Sequence, residues 1–393
     1  MQEIDSIINI EEEIDKQISD KYLPNYNNIT NNITNNMNNE LIDDNDKEEV
    51  ELTVKDVFES HSEYIVDQIK VRIQKHNDIL FYSIGTANAT NGKLIPSTIW
   101  TDIGILKEEY RPKTIINAYG TTGDSSSCSW IRIMPDGTMS VYQNSNRAQQ
   151  CTACFCYPIS DKTQVMELTV RDVFESYNKY VKDSKKVIIQ KYDDILFYTF
   201  NTGNGTTTGE SVPSGVWTDI GVLKKEYRPK TTIEAHGNNG GVNCNAMIKI
   251  MPDGTMSTYQ NSNSVQQCAA YFCYPISDKT EVKELTVKDV FESYNKYIKD
   301  TKKIILQKYN NILFYTFRTG NSTNGEPVPS GEWVDIGILK SEYRPKKLIQ
   351  FYGTTGGVTS CVYMRVNLNG EVSAYQLSGS KQQCGATLYY PVY

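Results

Sequence analysis

The segment 128–143, CSWIRIMPDGTMSVYQ, carries the clearest fold signal in this chain of 393 residues. Apolar and polar residues alternate on both sides of Asp136-Gly137, which is the period of a half-buried β-strand. A tight turn between two strands needs positive φ angles, which Asp, Asn and Gly tolerate. Asn369-Gly370 stands at the corresponding place later in the chain. The segment therefore predicts a β-hairpin within a mainly β fold.

This hairpin belongs to a unit that occurs three times. The motif ELTV(K/R)DVFES begins at Glu51, Glu167 and Glu284, which gives offsets of 116 and 117 residues. Each copy continues in the same order with ILFY, a WxDIG segment, EYRPK, QQC and YPI or YPV. A period this long indicates one domain per copy. We therefore predict an N-terminal segment, 1–50, followed by three domains in a row at 51–165, 166–282 and 283–393.

A short helix is predicted at the start of each copy. Thr53 and Asp56 have the spacing of a capping box, which the other two copies share. The apolar residues around them fall on one helical face, namely Val54, Val57, Phe58 and Ile65. The predicted fold class is mainly β, with three tandem β-sandwich domains of jelly-roll type. A short helix precedes each domain, and the N-terminal segment is a helical or extended anchor and stalk.

The charge of the chain is unevenly distributed. Residues 1–50 hold thirteen Asp and Glu against three Lys, whereas the whole chain has a net charge of −7. An acidic segment joined to a nearly neutral body argues against nucleic-acid binding. No run of 18 apolar residues occurs, so no membrane span is expected. The start of the chain lacks the features of a signal peptide, which predicts synthesis in a cytoplasm without export by that route.

The three histidines are the first candidates for catalysis or metal binding. They are His61, His76 and His236. Each of them corresponds to a tyrosine in the other two copies, and no second ligand lies at metal-binding spacing. This pattern predicts packing roles for all three, and we expect no metal and no cofactor.

Recurring carboxylates are the other candidates for acid–base chemistry, namely Asp102, Asp219 and Asp335. Glycoside hydrolysis needs two carboxylates across a cleft, whereas a turn that ends at the following Gly explains these residues structurally. The turn residues Asp136 and Asp253 correspond to Asn369, which keeps a turn but would abolish acid–base chemistry. We therefore predict that the protein is not an enzyme, with a polysaccharide-degrading enzyme as the alternative.

Six of the nine cysteines form one pair in each copy: Cys128 and Cys151, Cys244 and Cys268, and Cys361 and Cys384. Their equivalent positions predict that the members of a pair are spatial neighbours. Two alternatives remain open for their chemistry. They either form a disulfide in an oxidising exterior or serve as small, reduced packing residues.

Aromatic residues and loops are the candidates for ligand contact. Trp100, Trp217 and Trp333 recur, and exposed Trp can stack on sugar rings, but a Trp present in every copy is more typical of a core. We therefore predict framework roles for them. The copy-specific loops 88–97, 204–214 and 321–330 are the predicted contact surfaces. Candidate glycan contacts within them are Asn88, Asn204 and Asn321.

The ordered motifs LKEEYRPK, IRIMPDGTMSVYQ, QQC and YPI resemble small β-sandwich domains of tailed-bacteriophage virion proteins. The resemblance covers 100–159, 217–276 and 333–392, which is roughly half of the chain. Such domains occur in tail fibres, baseplate proteins and capsid-borne head fibres. The resemblance implies a virion structural protein, first a capsid-attached head fibre that adheres to a host surface or glycan. A tail-fibre receptor-binding protein is the alternative within this class.

The Asn-, Ile-, Lys- and Tyr-rich composition is similar to that of an AT-rich phage, such as the crAss-like phages of gut Bacteroides. From another class, a bacterial surface adhesin stays open, although neither a signal peptide nor a sorting motif is visible.

The resemblance also gives residues 1–50 a role as anchor and stalk. Apolar residues recur there at helical or four-residue spacing, and these are the predicted anchor or oligomer contacts: Ile4, Ile7, Ile14, Ile18, Ile29, Ile33, Met37 and Leu41. The partners implied are other proteins of the capsid or tail, together with further copies of the chain, a trimer being favoured over a dimer. A disordered linker is the alternative for the Asn-rich part.

Overall fold

The computed structural model describes residues 52–67, 71–123, 127–204, 208–240, 246–356 and 360–392. Residues Glu51–Tyr393 form one compact unit. The fold is mainly β, as predicted, and consists of three curled antiparallel sheets that follow one another along the chain. The predicted anchor contacts lie outside the described residues, namely Ile4, Ile7, Ile14, Ile18, Ile29, Ile33, Met37 and Leu41.

The first repeat forms an eight-stranded sheet in the order β1-β4-β7-β6-β5-β8-β3-β2. Its strands are β1 (Phe58–His61), β2 (Arg72–His76), β3 (Ile79–Gly85), β4 (Thr101–Leu106), β5 (Ile116–Thr122), β6 (Cys128–Ile133), β7 (Thr138–Gln143) and β8 (Cys151–Pro158). A helix at Val54–Val57 precedes them, and a 3-10 helix at Glu108–Tyr110 follows β4.

The second repeat forms a nine-stranded sheet of the same arrangement with one added edge strand. Its strands are β9 (Gln164–Thr169), β10 (Phe174–Tyr177), β11 (Lys186–Tyr192), β12 (Ile195–Asn201), β13 (Thr218–Leu223), β14 (Ile233–Asn239), β15 (Ala246–Ile250), β16 (Thr255–Gln260) and β17 (Cys268–Pro275). Its helices are Val170–Val173 and the 3-10 helix Lys225–Tyr227.

The third repeat is again nine-stranded. Its strands are β18 (Glu281–Thr286), β19 (Phe291–Tyr294), β20 (Lys303–Tyr309), β21 (Ile312–Arg318), β22 (Val334–Leu339), β23 (Ile349–Thr355), β24 (Cys361–Val366), β25 (Glu371–Gln376) and β26 (Cys384–Pro391). Its helices are Val287–Val290 and the 3-10 helix Ser341–Tyr343.

The connections between repeats are themselves strands. β9 follows the last strand of the first repeat and pairs with β11 at the edge of the second sheet. β18 pairs with β20 of the third sheet in the same way. The residues 166 and 283, where the sequence suggests that new domains begin, therefore lie inside β9 and β18.

The predicted helix is shorter than the apolar pattern suggests. Its capping box is present, because the backbone N–H of Thr53 donates to Asp56 Oδ2 at 2.7 Å, but the helix has only four residues. Phe58 has an extended backbone and pairs with Leu106 in β4, so the prediction of a helical Phe58 is wrong. Sheet pairing overrides the helical pattern here, although all the predicted face residues are buried in one core.

The hairpin predicted from 128–143 is confirmed, with Ile133 opposite Met139. Only Gly137 in its turn has a positive φ, +90°, so the connection is a three-residue loop with a bulge instead of a two-residue primed turn. Asp136 Oδ1 accepts the backbone N–H of Thr138 at 2.8 Å. In the third repeat the side chain of Asn369 accepts an equivalent bond, so Asp and Asn serve this turn alike.

The three repeats pack on one another in cyclic order. β17 of the second repeat contacts β5 of the first, β26 of the third contacts β14 of the second, and β8 of the first contacts β23 of the third. Because each contact uses equivalent strands, the ring closes with approximate threefold symmetry. One apolar cluster includes residues of all three repeats, among them Ile79, Phe81, Ile195, Phe197, Ile312 and Phe314. The three β domains that the sequence predicts one after another along the chain therefore pack against one another in space.

Candidate binding faces on the three repeats

Each repeat has an outward face on four neighbouring strands, β4-β7-β6-β5 in the first repeat, and the inner part of this face, on β6 and β5 or their equivalents, meets the neighbouring repeats. Side chains alternate between the two sides of a strand, so the burial pattern separates them. On β6, Ile131 and Ile133 are buried in the core, whereas Trp130 and Arg132 point to the other side and are half-buried. We call this side the outward face and define it by the two rows of side chains described next.

The first row of the outward face is aromatic. In the first repeat it consists of Trp100, Tyr142, Trp130 and Tyr119, and successive ring centroids lie 5.5, 5.5 and 6.0 Å apart. In the third repeat it consists of Trp333, Tyr375, Tyr363 and Tyr352, with separations of 5.5, 6.1 and 5.0 Å. The second repeat keeps the outer pair, with the rings of Trp217 and Tyr259 5.6 Å apart. It has Met247 and His236 at the inner positions.

The second row is polar and runs beside the first. In the first repeat, the Ser140 hydroxyl donates to Asp102 Oδ1 at 2.6 Å. Arg132 lies opposite Ser140, and its Cζ is 4.1 Å from the centroid of the Trp100 ring, which makes a cation–π contact. Its Nε donates to Asn117 Oδ1 at 3.3 Å. The row therefore offers an acceptor, a hydroxyl and a cationic donor beside an aromatic platform.

The other two repeats keep the polar row. Ser257 donates to Asp219 at 2.7 Å, and Ser373 donates to Asp335 at 3.1 Å. A cation again lies over each Trp ring. Lys249 Nζ is 4.6 Å from the Trp217 centroid, and Arg365 Cζ is 4.7 Å from the Trp333 centroid. The same chemical groups thus recur at equivalent positions of the ring.

The recurring Trp residues are surface residues, so the prediction that they belong to the core framework is wrong. Trp217 is 41% exposed, and Trp100 and Trp333 are half-buried. The residue before Trp217 is also exposed, Val216 by 50%, as is Ile99 before Trp100, by 59%. Trp100 and Asp102 share one side of the chain, because they are two residues apart, and Ile103 faces the core. Asp102 lies at a β-bulge in β4, not in a turn.

The candidate glycan contacts shape their own loops. Asn88 Oδ1 accepts the backbone N–H of Thr90 at 3.0 Å, and Asn321 Oδ1 accepts that of Thr323 at 3.3 Å. Asn204 Oδ1 accepts the Thr208 hydroxyl at 3.0 Å. Such bonds stabilise turns, so these residues have a structural role, and their contact with glycans stays a prediction.

The paired cysteines lie on the two strands that flank β5. Cys128 is opposite Thr121, and Cys151 is opposite Thr122, so β5 runs between them. Cys244 lies outside the described residues. Each predicted pair contains a cysteine that the structure holds as a thiol, so none of the pairs is a disulfide there: the thiols are Cys151, Cys268, Cys361 and Cys384. Cys128 packs against Cys361 of the third repeat, which is a contact between repeats that the sequence did not indicate.

Burial keeps these thiols unreactive. It raises the pKa of the Cys268 thiol to about 12 and raises the pKa of Cys384 as well, so neither is a thiolate near neutral pH. Cys268 and Cys384 fit the reduced packing role that the sequence left open, whereas Cys128 is disulfide-bonded.

The histidines lie in three unrelated surroundings. His61 Nε2 is 2.9 Å from Asp67 Oδ1, and His76 Nε2 is 2.9 Å from the Asn310 carbonyl. His236 Nδ1 is 3.0 Å from Thr354 Oγ1, and burial, assisted by nearby Arg318, lowers the pKa of His236 to about 3. Within the part of the chain that the structure describes, no three His, Cys, Asp or Glu side chains are placed to hold a metal ion.

A small cavity lies where the three repeats meet. It has a volume of about 50 Å³, and its lining comes from all three sheets, for example Tyr119, His236 and Tyr352. A space of this size holds one or two water molecules, so it is too small for a sugar or a cofactor.

Comparison with protein-family models, with curated proteins and with solved structures finds no match to this chain. In the described ranges, no helix is both long enough and apolar enough to cross a membrane.

Proposed function

We propose that the chain is a virion fibre protein whose three repeats form a single adhesive head. The closed ring carries this proposal, because it places three copies of one outward face on the same compact body. Each repeat is a jelly-roll-like sandwich in this proposal, with β1-β4-β7-β6-β5 as one layer and β8-β3-β2 as the other. The resemblance to tailed-phage virion domains supports the assignment to a virion, first as a head fibre on the capsid.

A head with three equivalent faces suits adhesion. Weak binding at one face raises the effective concentration of ligand groups at the other two, so three weak contacts give firm attachment to a surface with repeated groups. The ring also makes a homotrimer of heads unnecessary, since one chain already supplies three repeats. Residues 1–50 remain the proposed anchor to capsid or tail proteins and the proposed site of any homo-oligomerisation.

Display without catalysis is supported by the composition of the faces. In the first and third repeats, the polar row has one carboxylate, Asp102 or Asp335, with Asn117 or Gln350 at the inner end. In the second repeat the inner position is Glu234, but Arg318 neutralises it. A pair of carboxylates for glycoside hydrolysis is therefore not a shared feature of the three faces.

Immunogold labelling of purified virions tests the proposal. We expect label on the capsid with antibody against residues 51–393. Label confined to the tail would replace the head fibre by a tail fibre, and particles without label would refute the virion assignment. Particles that assemble with a chain lacking residues 1–50 should lose the label if those residues are the anchor.

A further inference from the structure

We propose that each outward face binds a neutral saccharide, with the aromatic row stacking on a sugar ring and the polar row bonding its hydroxyls. This inference deepens the adhesion part of the proposed function by naming the ligand class. It moves the contact from the loops, where the sequence placed it, to the sheet. The sites in the first, second and third repeats centre on Trp100, Trp217 and Trp333.

The first argument is the exposure of apolar surface. Trp217 is 41% exposed, and Val216 beside it is 50% exposed, although the same chain buries other aromatic residues completely, such as Phe272. Lys249 lies over one side of the Trp217 ring, and the rest of the exposed Trp217 and Val216 side chains is apolar surface that a ligand can cover. The C–H-bearing side of a pyranose is an apolar surface of matching kind, and a flat aromatic ring packs on it at low entropic cost.

The second argument is the pairing of donors and acceptors. A sugar hydroxyl both donates and accepts, so its binding site needs both kinds of group close to the platform. The polar row supplies them in one line, as the Asp102 carboxylate, the Ser140 hydroxyl and the Arg132 guanidinium do in the first repeat. The Ser140 hydroxyl and the Asp102 carboxylate lie 2.6 Å apart, so one sugar hydroxyl can contact both groups.

The third argument is charge. Each face carries one carboxylate and one cation, for example Asp219 and Lys249 in the second repeat. The two charges cancel, so the face offers no net attraction to a polyanion such as a nucleic acid or a sulfated polymer. A neutral polyol is the ligand that uses both groups.

The fourth argument is recurrence within the chain. Trp, Tyr, Asp, Ser and a cation stay at equivalent positions of the outward face in three repeats. A cation–π contact could stabilise the sheet with any exposed aromatic ring. Such a contact would not explain why the Asp–Ser pair also recurs beside the Trp in every repeat. A common ligand explains both rows together.

The test is binding of the full-length chain to immobilised dextran, mannan and arabinogalactan, with heparin and polygalacturonate as anionic polymers. We expect millimolar to micromolar binding to at least one neutral polymer and weaker binding to both anionic ones. The triple variant Trp100→Ala, Trp217→Ala and Trp333→Ala should lose at least tenfold in apparent affinity. The matched control, Asn88→Ala, Asn204→Ala and Asn321→Ala, should bind as the wild type does.

A second variant keeps the test decisive if the Trp variant unfolds. Asp102→Asn, Asp219→Asn and Asp335→Asn replaces each acceptor by a group of the same shape, and we expect a loss of threefold or more with unchanged thermal unfolding. No binding of the wild type to any neutral polymer, tighter binding to heparin, or loss of binding only in the Asn→Ala control would each overturn the inference. Virion labelling is independent of these results, so failure here leaves the fibre assignment standing.

Discussion

The outward faces and the interfaces between repeats belong to the same three sheets, yet they differ in how far the repeats have diverged. The outward face keeps Trp, Tyr, Asp and Ser at equivalent positions in every repeat. At the interfaces, equivalent residues differ from repeat to repeat. The last residue of β3, β12 and β21 is Gly85, Asn201 and Arg318, respectively. The second residue of β5, β14 and β23 is Asn117, Glu234 and Gln350, respectively. The outer parts of the three faces are all exposed to solvent, whereas each interface contacts a different pair of repeats.

This contrast explains how one chain closes a ring in a single order. Arg318 donates two bonds to Glu234 across the interface between the second and third repeats, at 2.6 and 3.2 Å. The equivalent interface between the third and first repeats uses Ser83 and Gln350 at 3.4 Å. In a ring of identical subunits, one side chain must serve every interface. Here these two interfaces have different polar pairs, which disfavours exchange of repeats.

Among the contacts between repeats, the largest effect is expected from breaking the charged pair of Arg318 and Glu234. Arg318→Met leaves Glu234 without its partner in a site where the two side chains are only 25% and 18% exposed. We expect a loss of about 2–3 kcal/mol in the free energy of unfolding, because a partly buried carboxylate is costly without its counter-charge. Urea unfolding of the full chain measures this. The double variant Arg318→Met and Glu234→Gln should recover most of the loss, and a single variant as stable as the wild type would contradict the role of the pair.

The next effect concerns pH at the same interface. In the unfolded chain His236 gains a proton below its ordinary pKa of 6.5, whereas the folded protein holds the pKa near 3. Between these two pKa values the unfolded state binds more protons than the folded state. The contribution of His236 to the free energy of unfolding is therefore fully present above pH 6.5 and falls as the pH is lowered. His236→Tyr places the residue of the equivalent positions there, and its stability should fall less between pH 7 and pH 4. Parallel curves for the two proteins in thermal unfolding would show that the imidazole is not buried.

A smaller effect is expected from one hydrogen bond between repeats. The Tyr363 hydroxyl donates to the Thr122 carbonyl at 2.9 Å and also bonds Thr121, so Tyr363→Phe should cost about 1 kcal/mol. Tyr375→Phe in the same aromatic row is the matched control, since this side chain lies on β25, in the outer part of the face, and it should cost less than half as much. If the two variants unfold at the same denaturant concentration, the hydrogen bond between repeats makes no measurable contribution to stability.

The smallest effect on stability is expected on the outward face itself. Trp217→Ala should lower the free energy of unfolding by about 1 kcal/mol or less, because much of the ring is already in water. Phe272→Ala in the core should cost about 3–5 kcal/mol. Scanning calorimetry of both variants compares the two regions directly. A Trp217 variant as unstable as the Phe272 variant would mean that the face is part of the framework after all.

Much of the fold could be predicted from the sequence, because its signals are local. Alternation around Asp136-Gly137 gives the hairpin, and the long period gives three sheets. The ring was missed, because contacts between repeats are not periodic. One signal was present: the run Ile79, Leu80, Phe81 and Tyr82 is apolar without alternation, and all four are buried. An unbroken apolar strand has both sides covered, here by its own core and by the neighbouring repeats.

The outward face could have been predicted from the spacing of residues in one motif. In WxDIG, Trp100 and Asp102 are two residues apart and share a side of the strand, and the charged Asp marks that side as facing water. The interpretation of Trp100 as a core residue came from its recurrence in three copies, which does not distinguish a core from a shared surface. Cross-strand neighbours such as Arg132 and Ser140 depend on register, which the sequence alone did not give.

The strand connections have a mechanical consequence. β9 runs antiparallel to β11 with six residues in register, from Lys186 opposite Thr169 to Lys191 opposite Gln164. Tension between the first two repeats would act along β9, so its hydrogen bonds with β11 would carry the load together, in shear, instead of opening one after another. A flexible linker would let the repeats be drawn apart before any bond broke. In the proposed adhesive head, the paired β9 would therefore hold the first two repeats together more firmly than a flexible linker could.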